Sequence, residues 1–312
     1  MKRGFVRKLP ALIVVAALLG SLTACSTASA PGSAGCTTPA SGDASSVVSV
    51  KGQFGKKPTS ANIPTPINTS HTEVSTLIEG HGQTLTTGTP AFIKYTVYSG
   101  TTGRVVSSSS YGTPTTPITV GEKNGGPLVD GLQCAQVGSR LAIAVKASDL
   151  TSTAKSNGKS GPAYVAVVDV VKAFLPRANG ALQFGVNNMP AVVTAANGAP
   201  GVSVPDTAAP TSEKVQLVRK GSGHALTKSD TAIVQFTAVD WSSPSKVEGS
   251  TWTGTNGQAA TTVPLNSTQI PASIRSSLVG KTVGSQVMVV IPAKTSGTGS
   301  AIIYVFDVLG SF

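Results

Sequence analysis

Aromatic, acidic, histidine and cysteine residues are all scarce in this chain, and each scarcity excludes something. Only 5% of its 312 residues are aromatic and 12% are charged. Three cysteines in so long a chain rule out a disulfide-dense miniature scaffold. The three histidines, His71, His81 and His224, stand at no zinc-ligand spacing from a cysteine or from one another, so no metal is expected. Glycine lacks the three-residue period of collagen. What is abundant is hydrophobic residues at 40%, enough to bury cores, with 34 Gly, 20 Pro and long Ser/Thr stretches. That composition favours many strands and turns over helix bundles. The length suits about two domains.

Acidic residues number 13 against 24 Lys and Arg, a formal net charge of +11 that invites a nucleic-acid reading. Lys2, Arg3, Arg7 and Lys8 all lie at the extreme N-terminus, and without them the charge falls to about +7. The remaining cations are scattered, as at Lys56-Lys57 and Arg219-Lys220, with no basic helix and few interleaved aromatics. No nucleic-acid partner is therefore expected. The modest surplus fits contact with anionic lipid or envelope polymer.

Those four cations precede an apolar run from Leu9 to Leu22, broken only by Pro10, Gly20 and Ser21, and the small residues of Leu22-Thr23-Ala24-Cys25 follow. This is the layout of an export signal over residues 1–24, too short for a membrane-spanning anchor. The ending resembles the bacterial lipobox, which implies acylation of Cys25 and a membrane attachment on the extracytoplasmic face; the alternative is an ordinary cleaved signal with a chance cysteine. Residues 25–46, rich in Ser, Ala, Gly, Thr and Pro, read as a flexible lipid-anchored linker. Cys36 and Cys134 remain in the exported body, where an even pair favours a disulfide over two free thiols.

Comparison of the chain with itself divides that body. Val74-Ser75-Thr76-Leu77-Ile78-Glu79-Gly80-His81-Gly82 resembles Val215-Gln216-Leu217-Val218-Arg219-Lys220-Gly221-Ser222-Gly223, and Ile93-Lys94-Tyr95-Thr96 resembles Val234-Gln235-Phe236-Thr237 at the same offset of 141. Val137-Gly138-Ser139 then resembles Val283-Gly284-Ser285, and Val167-Val168-Asp169-Val170 resembles Val305-Phe306-Asp307-Val308. Preserved order implies two homologous units, at residues 47–176 and 212–312, joined by a Gly/Pro-rich connector at 177–211 in which 182–184 and 192–193 are candidate edge strands. Within the second unit, β-branched runs bounded by glycine predict strands, and Pro271 with Gly280 brackets a short helix placing Ile274 and Leu278 on one face. The first unit offers only Leu128 to Cys134 there.

Gly221-Ser222-Gly223 with Lys228-Ser229-Asp230-Thr231, Phe236-Thr237, Ile270-Pro271, Leu278 to Ser285, Ile291-Pro292 and Tyr304 to Val308 together resemble the FKBP family of peptidyl-prolyl isomerases. The resemblance covers about residues 212–312 well and 70–175 more loosely. It implies an α+β fold of two domains, each an antiparallel half-barrel sheet wrapped around a short helix. It also implies isomerase activity on proline-containing exported polypeptides. Several family positions depart: Ile274 replaces the usual helix Trp, Val247-Glu248 replaces Phe-Asp, and the loop after Pro292 has no aromatic. In the first unit Val106-Ser107 falls at the Phe-Asp place and Val168 at that of Phe306, so the first pocket reads as the more eroded.

Twisting an X-Pro bond needs no cofactor, metal or nucleophile. The transition state has lost amide resonance, and a dry apolar pocket can bind it preferentially. The residues assigned to such a pocket are Phe236, Ile270, Ile274 and Phe306, with Glu248 or Asp240 as the polar contact. For Phe236 and Phe306 core packing is an equal alternative, and Trp252 is either a pocket wall or an exposed loop residue. Gly158-Lys159-Ser160 lacks the first glycine of a phosphate loop and is set aside. Two functions remain open: an anchored isomerase and folding helper, or a non-enzymatic FKBP-like module that binds a peptide or envelope partner.

Overall fold

The computed structural model describes residues 36–112, 117–151, 161–253 and 259–312. Residues 1–24, read as an export signal, Cys25 and Gly158 to Ser160 lie outside the described residues. Strands dominate, and the α-helices among the described residues run four to seven residues.

Each repeat builds one seven-stranded antiparallel sheet. In the first, the order is Glu73–Ile78, Arg140–Lys146, Gly161–Ala173, Pro90–Ser99, Val105–Ser108, with Asn68–Thr69 on the third strand and Ile118–Thr119 on the fourth. The second runs Ala181–Leu182, Lys214–Lys220, Gln286–Ile291, Ile302–Ser311, Thr231–Asp240, Val247–Ser250, with Thr261–Pro264 added to the Thr231–Asp240 strand. The shared strands follow one order, so the duplication read from sequence is a duplication of topology. Registers match as well: Tyr95 pairs with Val168, and Phe236 pairs with Phe306.

One pairing corrects the sequence alignment. Val97 pairs with Ser107 and Tyr98 with Val105, while Ala238 pairs with Gly249 and Val239 with Val247. Each edge strand therefore bulges at one residue, Val106 in the first repeat and Glu248 in the second. The counterpart of Val247-Glu248 is Val105-Val106, one residue earlier than the sequence comparison places it. A bulge absorbs the odd residue that an ungapped alignment cannot see.

The central strands are continuous apolar runs because both faces of each sheet are covered. Side chains alternate along a strand. Ala166, Val168 and Val170 accordingly join one core cluster and Val165 and Val167 another. One face carries the short helix: Gly126–Asp130 in the first repeat and Ala272–Leu278 in the second. The second helix starts after Pro271, and Gly280 just past its end takes a φ of 79°, which glycine adopts without a Cβ clash. The other face is covered by a strap, the stretch of chain on the N-terminal side of each sheet's main strands, residues 36–67 for the first and 177–211 for the second. Ala44, Val48, Ile63 and Ile67 lie on the first sheet; Met189, Val192, Val202, Val204 and Ala209 lie on the second, around Trp241 and Met288.

These covers revise two expectations. Residues 36–46, read as the end of a flexible linker, are packed in place. Asp43–Ser46 is helical, Ala44 N–H donates to Glu73 Oε2 at 2.8 Å, Val74 N–H donates to Ala40 O at 2.8 Å, and Cys36 is bonded to Cys134 with Cα atoms 5.6 Å apart. Residues 177–211, read as a connector, form a strap over the second sheet, with a hairpin of Ala191–Thr194 and Pro200–Ser203 and an edge strand at Ala181–Leu182. The Gly/Pro/Ala composition disguises both segments because their few apolar residues are buried against a sheet that lies far off in sequence.

The repeats meet through Phe92, Phe174, Ile233 and Leu309. Phe92 stands edge-on to Phe174 at 5.1 Å and to Phe312 at 5.0 Å. Such aromatic pairs contribute about 0.5–1.5 kcal/mol each beyond area burial. No helix of the described residues is long and apolar enough to cross a membrane.

Candidate functional site

In the second repeat the strand pairings bring four of the five assigned site residues together. Phe306, on the central Ile302–Ser311 strand, is buried, and Phe236 from the neighbouring strand, Ile270 and the helix residue Ile274 pack around the same cluster. Phe236 and Phe306 rings lie 5.8 Å apart. Tyr304, which the sequence reading left out of the site, stacks on Phe306 at 5.7 Å with an interplanar angle of 3° and reaches Phe236 at 6.3 Å. Burial, and then the charge of Glu248, raise the Tyr304 phenol above its ordinary range.

The fifth residue does not join them. Glu248 pairs with Lys246 at 2.6 Å on the exposed edge strand, so its carboxylate stands at the rim near Tyr304 rather than inside an apolar pocket. The alternative acid, Asp240, accepts hydrogen bonds from Ser242 Oγ at 2.6 Å, Ser300 Oγ at 2.8 Å and Ser242 N–H at 2.7 Å, which hold its carboxyl below the usual range and occupy it in a turn. Trp252 is not the exposed loop residue that one alternative made it. It is 4% exposed, and its ring approaches Gly198 of the strap so closely that a Cβ there would come within 2.9 Å.

Among the described residues, an open apolar cavity lies in the first repeat, the one whose sequence reads as more eroded. It measures about 300 Å³ and is lined by Tyr95, Val97, Val106, Ser107, Leu128, Ile143, Val145, Leu150, Tyr164 and Ala166. Strand register makes these the counterparts of the second-repeat cluster: Tyr95 of Phe236, Ala166 of Tyr304, Val106 of Glu248. Leu128 on the short helix is the counterpart of Ile274. Where the second repeat inserts the Tyr304 ring, the first has a methyl group, and space remains between two tyrosines. Loss of side-chain volume thus creates the cavity that a count of retained aromatics overlooks. The signal was present in the aligned closing strands, as Ala166 and Val168 against Tyr304 and Phe306.

Among the histidines, His71 and His81 are exposed, and His224 lies 3.4 Å from Asp230. The Asp230 carboxyl is held low mainly by the Thr227 backbone N–H, with lesser help from the Thr227 hydroxyl and His224.

No protein-family profile matches the sequence, and no curated protein matches it. Among solved structures, the chain is similar to the three FKBP domains of wheat FKBP73 (13% identity, TM-score 0.31, covering 77% of this chain and 94% of that one). It is also similar to FkpA from Escherichia coli (18% identity, TM-score 0.28, 38% of this chain and 51% of that one). Likenesses of that size carry no weight for chemistry, which rests on the pockets themselves.

Proposed function

We propose that the protein is an FKBP-like peptidyl-prolyl cis-trans isomerase and folding helper for exported polypeptides, and that its first repeat holds the working pocket. The observation carrying this reading is the apolar cavity of about 300 Å³ between Tyr95 and Tyr164, at the position where the second repeat gathers Phe236, Tyr304 and Phe306. An apolar cavity flanked by aromatic rings accommodates a prolyl ring. By withholding water from the amide it favours the twisted, less polar transition state over the planar ground state. The second repeat serves as its packed partner. Cys25 acylation places the whole at the extracytoplasmic face of the membrane, a location in keeping with the Cys36–Cys134 bridge.

A second reading has a specific observation behind it. Val106 replaces an acid at the rim, and among the described residues no carboxylate lines the first cavity. A pocket without that polar contact suits binding without turnover. A protease-coupled isomerisation assay on the full chain with a proline-containing peptide separates the two. Catalysis above buffer that Ala166→Tyr abolishes, with the melting temperature kept, is expected. Peptide binding that is lost in the same variant without any catalysis selects the binding module. Activity that survives Ala166→Tyr removes the first-repeat pocket from consideration.

A further inference from the structure

The closing strand of each repeat buries one carboxylate on the strap side, Asp169 in the first and Asp307 in the second, each 2% exposed. The strap donates a backbone N–H to each: Gly55 to Asp169 Oδ2 at 2.6 Å and Ala178 to Asp307 Oδ2 at 2.8 Å. Beside them the repeats diverge. Arg140 donates Nε to Asp169 Oδ1 at 2.6 Å and Nη2 to Oδ2 at 2.8 Å, while Nη1 reaches Gly52 O and Nη2 also reaches Gln53 O, both at 2.9 Å. Four of the five N–H donors of the fork are thus engaged. The matching residue in the second repeat is Gln286, since Leu141 pairs with Val168 as Val287 pairs with Phe306. Gln286 donates Nε2 to Asp307 Oδ1 at 2.8 Å, while its Oε1, on a residue 1% exposed, has no partner among the described residues.

A cavity of about 390 Å³ opens at this place, lined by Asp307, Gln286, Arg177, Arg219, Asn179 and Thr194 together with strap backbone. Its volume falls in the ~300–1,000 Å³ range of small-ligand sites. Its polarity runs in one direction. The buried end offers acceptors, the Asp307 carboxylate and the orphan Gln286 Oε1. Arg177 and Arg219 supply donors: Arg177 is exposed and its Nη1 reaches Ala196 O at 3.2 Å, and Arg219 is half-buried with Nη1 on Gly180 O at 3.3 Å. An unpaired buried acceptor is costly, on the order of 1–3 kcal/mol, and a planar donor fork is what the first repeat supplies from its own chain.

We propose that this cavity binds a guanidinium-bearing zwitterion, arginine in chemical class, its guanidinium against Asp307 and Gln286 Oε1 as Arg140 lies against Asp169, and its carboxylate between Arg177 and Arg219. The assignment is independent of the isomerase reading and concerns the opposite face of the second sheet. The shared chemistry occurs in free arginine and in a peptide ending in arginine. Calorimetric titration and thermal-shift measurements on the full chain use L-arginine, a short peptide with C-terminal arginine, L-citrulline and agmatine. Binding of L-arginine, of the arginine-terminated peptide, or of both is expected, and the arm that binds identifies the source. Citrulline, which lacks the charge, and agmatine, which lacks the carboxylate, are each expected to bind at least about tenfold more weakly. Gln286→Arg, which rebuilds the first repeat's fork inside the cavity, is expected to abolish binding while the fold persists by circular dichroism. Asp307→Asn supplies a second variant and is expected to weaken binding. No binding in either arginine arm, citrulline binding as well as arginine, or affinity undiminished in both variants overturns the proposal.

Discussion

The two repeats place the same carboxylate in the same strand and solve its burial differently. Asp169 is met by Arg140, an ion pair whose two side chains are 2% and 3% exposed. Asp307 is met by a neutral amide, and burial pushes its carboxyl above the ordinary range despite the Ala178 N–H, Gln286, Arg219 and Arg177, all of which pull it down. The pockets on the other face are reversed. Where the first repeat has small side chains it leaves an apolar cavity, and where the second has Tyr304 the space is taken by a ring. Among the described residues, the first repeat shows an apolar cavity on its helix face and the second a polar one on its strap face. Duplication has thus let one topology carry two complementary sets of vacancies, apolar in the first repeat and polar in the second.

The comparison breaks most severely at Arg140. Arg140→Gln copies the second repeat into the first and leaves Asp169 buried without its cation, with two strap carbonyls unmet. The expected loss is about 3–5 kcal/mol, because removing one partner strands the other charge. Denaturant titration measures it, and a loss under about 1 kcal/mol would mean that the ion pair does not hold the first strap.

The disulfide comes next, since only the first strap is covalently tied. Cys36→Ser is expected to cost about 2–4 kcal/mol, as the 98-residue separation constrains the unfolded chain. Reduced wild type should unfold at the same denaturant midpoint as the variant; a midpoint that neither change moves contradicts the account.

The smallest effect is expected at Asp307. Its folded pKa is raised, so between the ordinary carboxylate value and that raised value the folded state holds a proton that the unfolded state has released. Stability therefore falls as pH rises through that window and is level below it. Asp307→Asn is expected to remain within about 1 kcal/mol of wild type at neutral pH and to flatten that slope. Melting temperatures across the window, compared between the two proteins, test the sign. A slope that persists unchanged in the variant locates the linkage elsewhere.

Much of this architecture is legible in order along the chain. The repeat is visible because strand pairing preserves local patterns: Val74 to Gly82 and Val215 to Gly223 keep theirs. The helix from Ala272 to Leu278 is bracketed by Pro271 and Gly280, whose backbone preferences are local. The apolar set of Phe236, Ile270, Ile274 and Phe306 does converge. Glu248 does not converge with it, because its position depends on a bulge whose register only the paired strand defines. The first-repeat cavity was legible only in part, for a related reason. Ala166 against Tyr304 marks the lost volume, but the residues that enclose it, Tyr164, Leu128 and Val106, come from three separate elements.

The sequence by itself determined the duplication and the strand-rich class and favoured the pairing of Cys36 with Cys134, because these are properties of composition, spacing and short-range preference. Tertiary structure alone decided which repeat holds the apolar vacancy and what surrounds each buried acid. The change from Arg140 to Gln286 is a single letter after a shared Val-Gly-Ser. It acquires meaning only when Gly52 and Gln53 approach Arg140 from 88 and 87 residues away and Ala178 approaches Asp307 from 129. Hydrogen-bond satisfaction and cavity volume are sums over neighbours, and in this chain the deciding neighbours come from segments whose composition reads as linker.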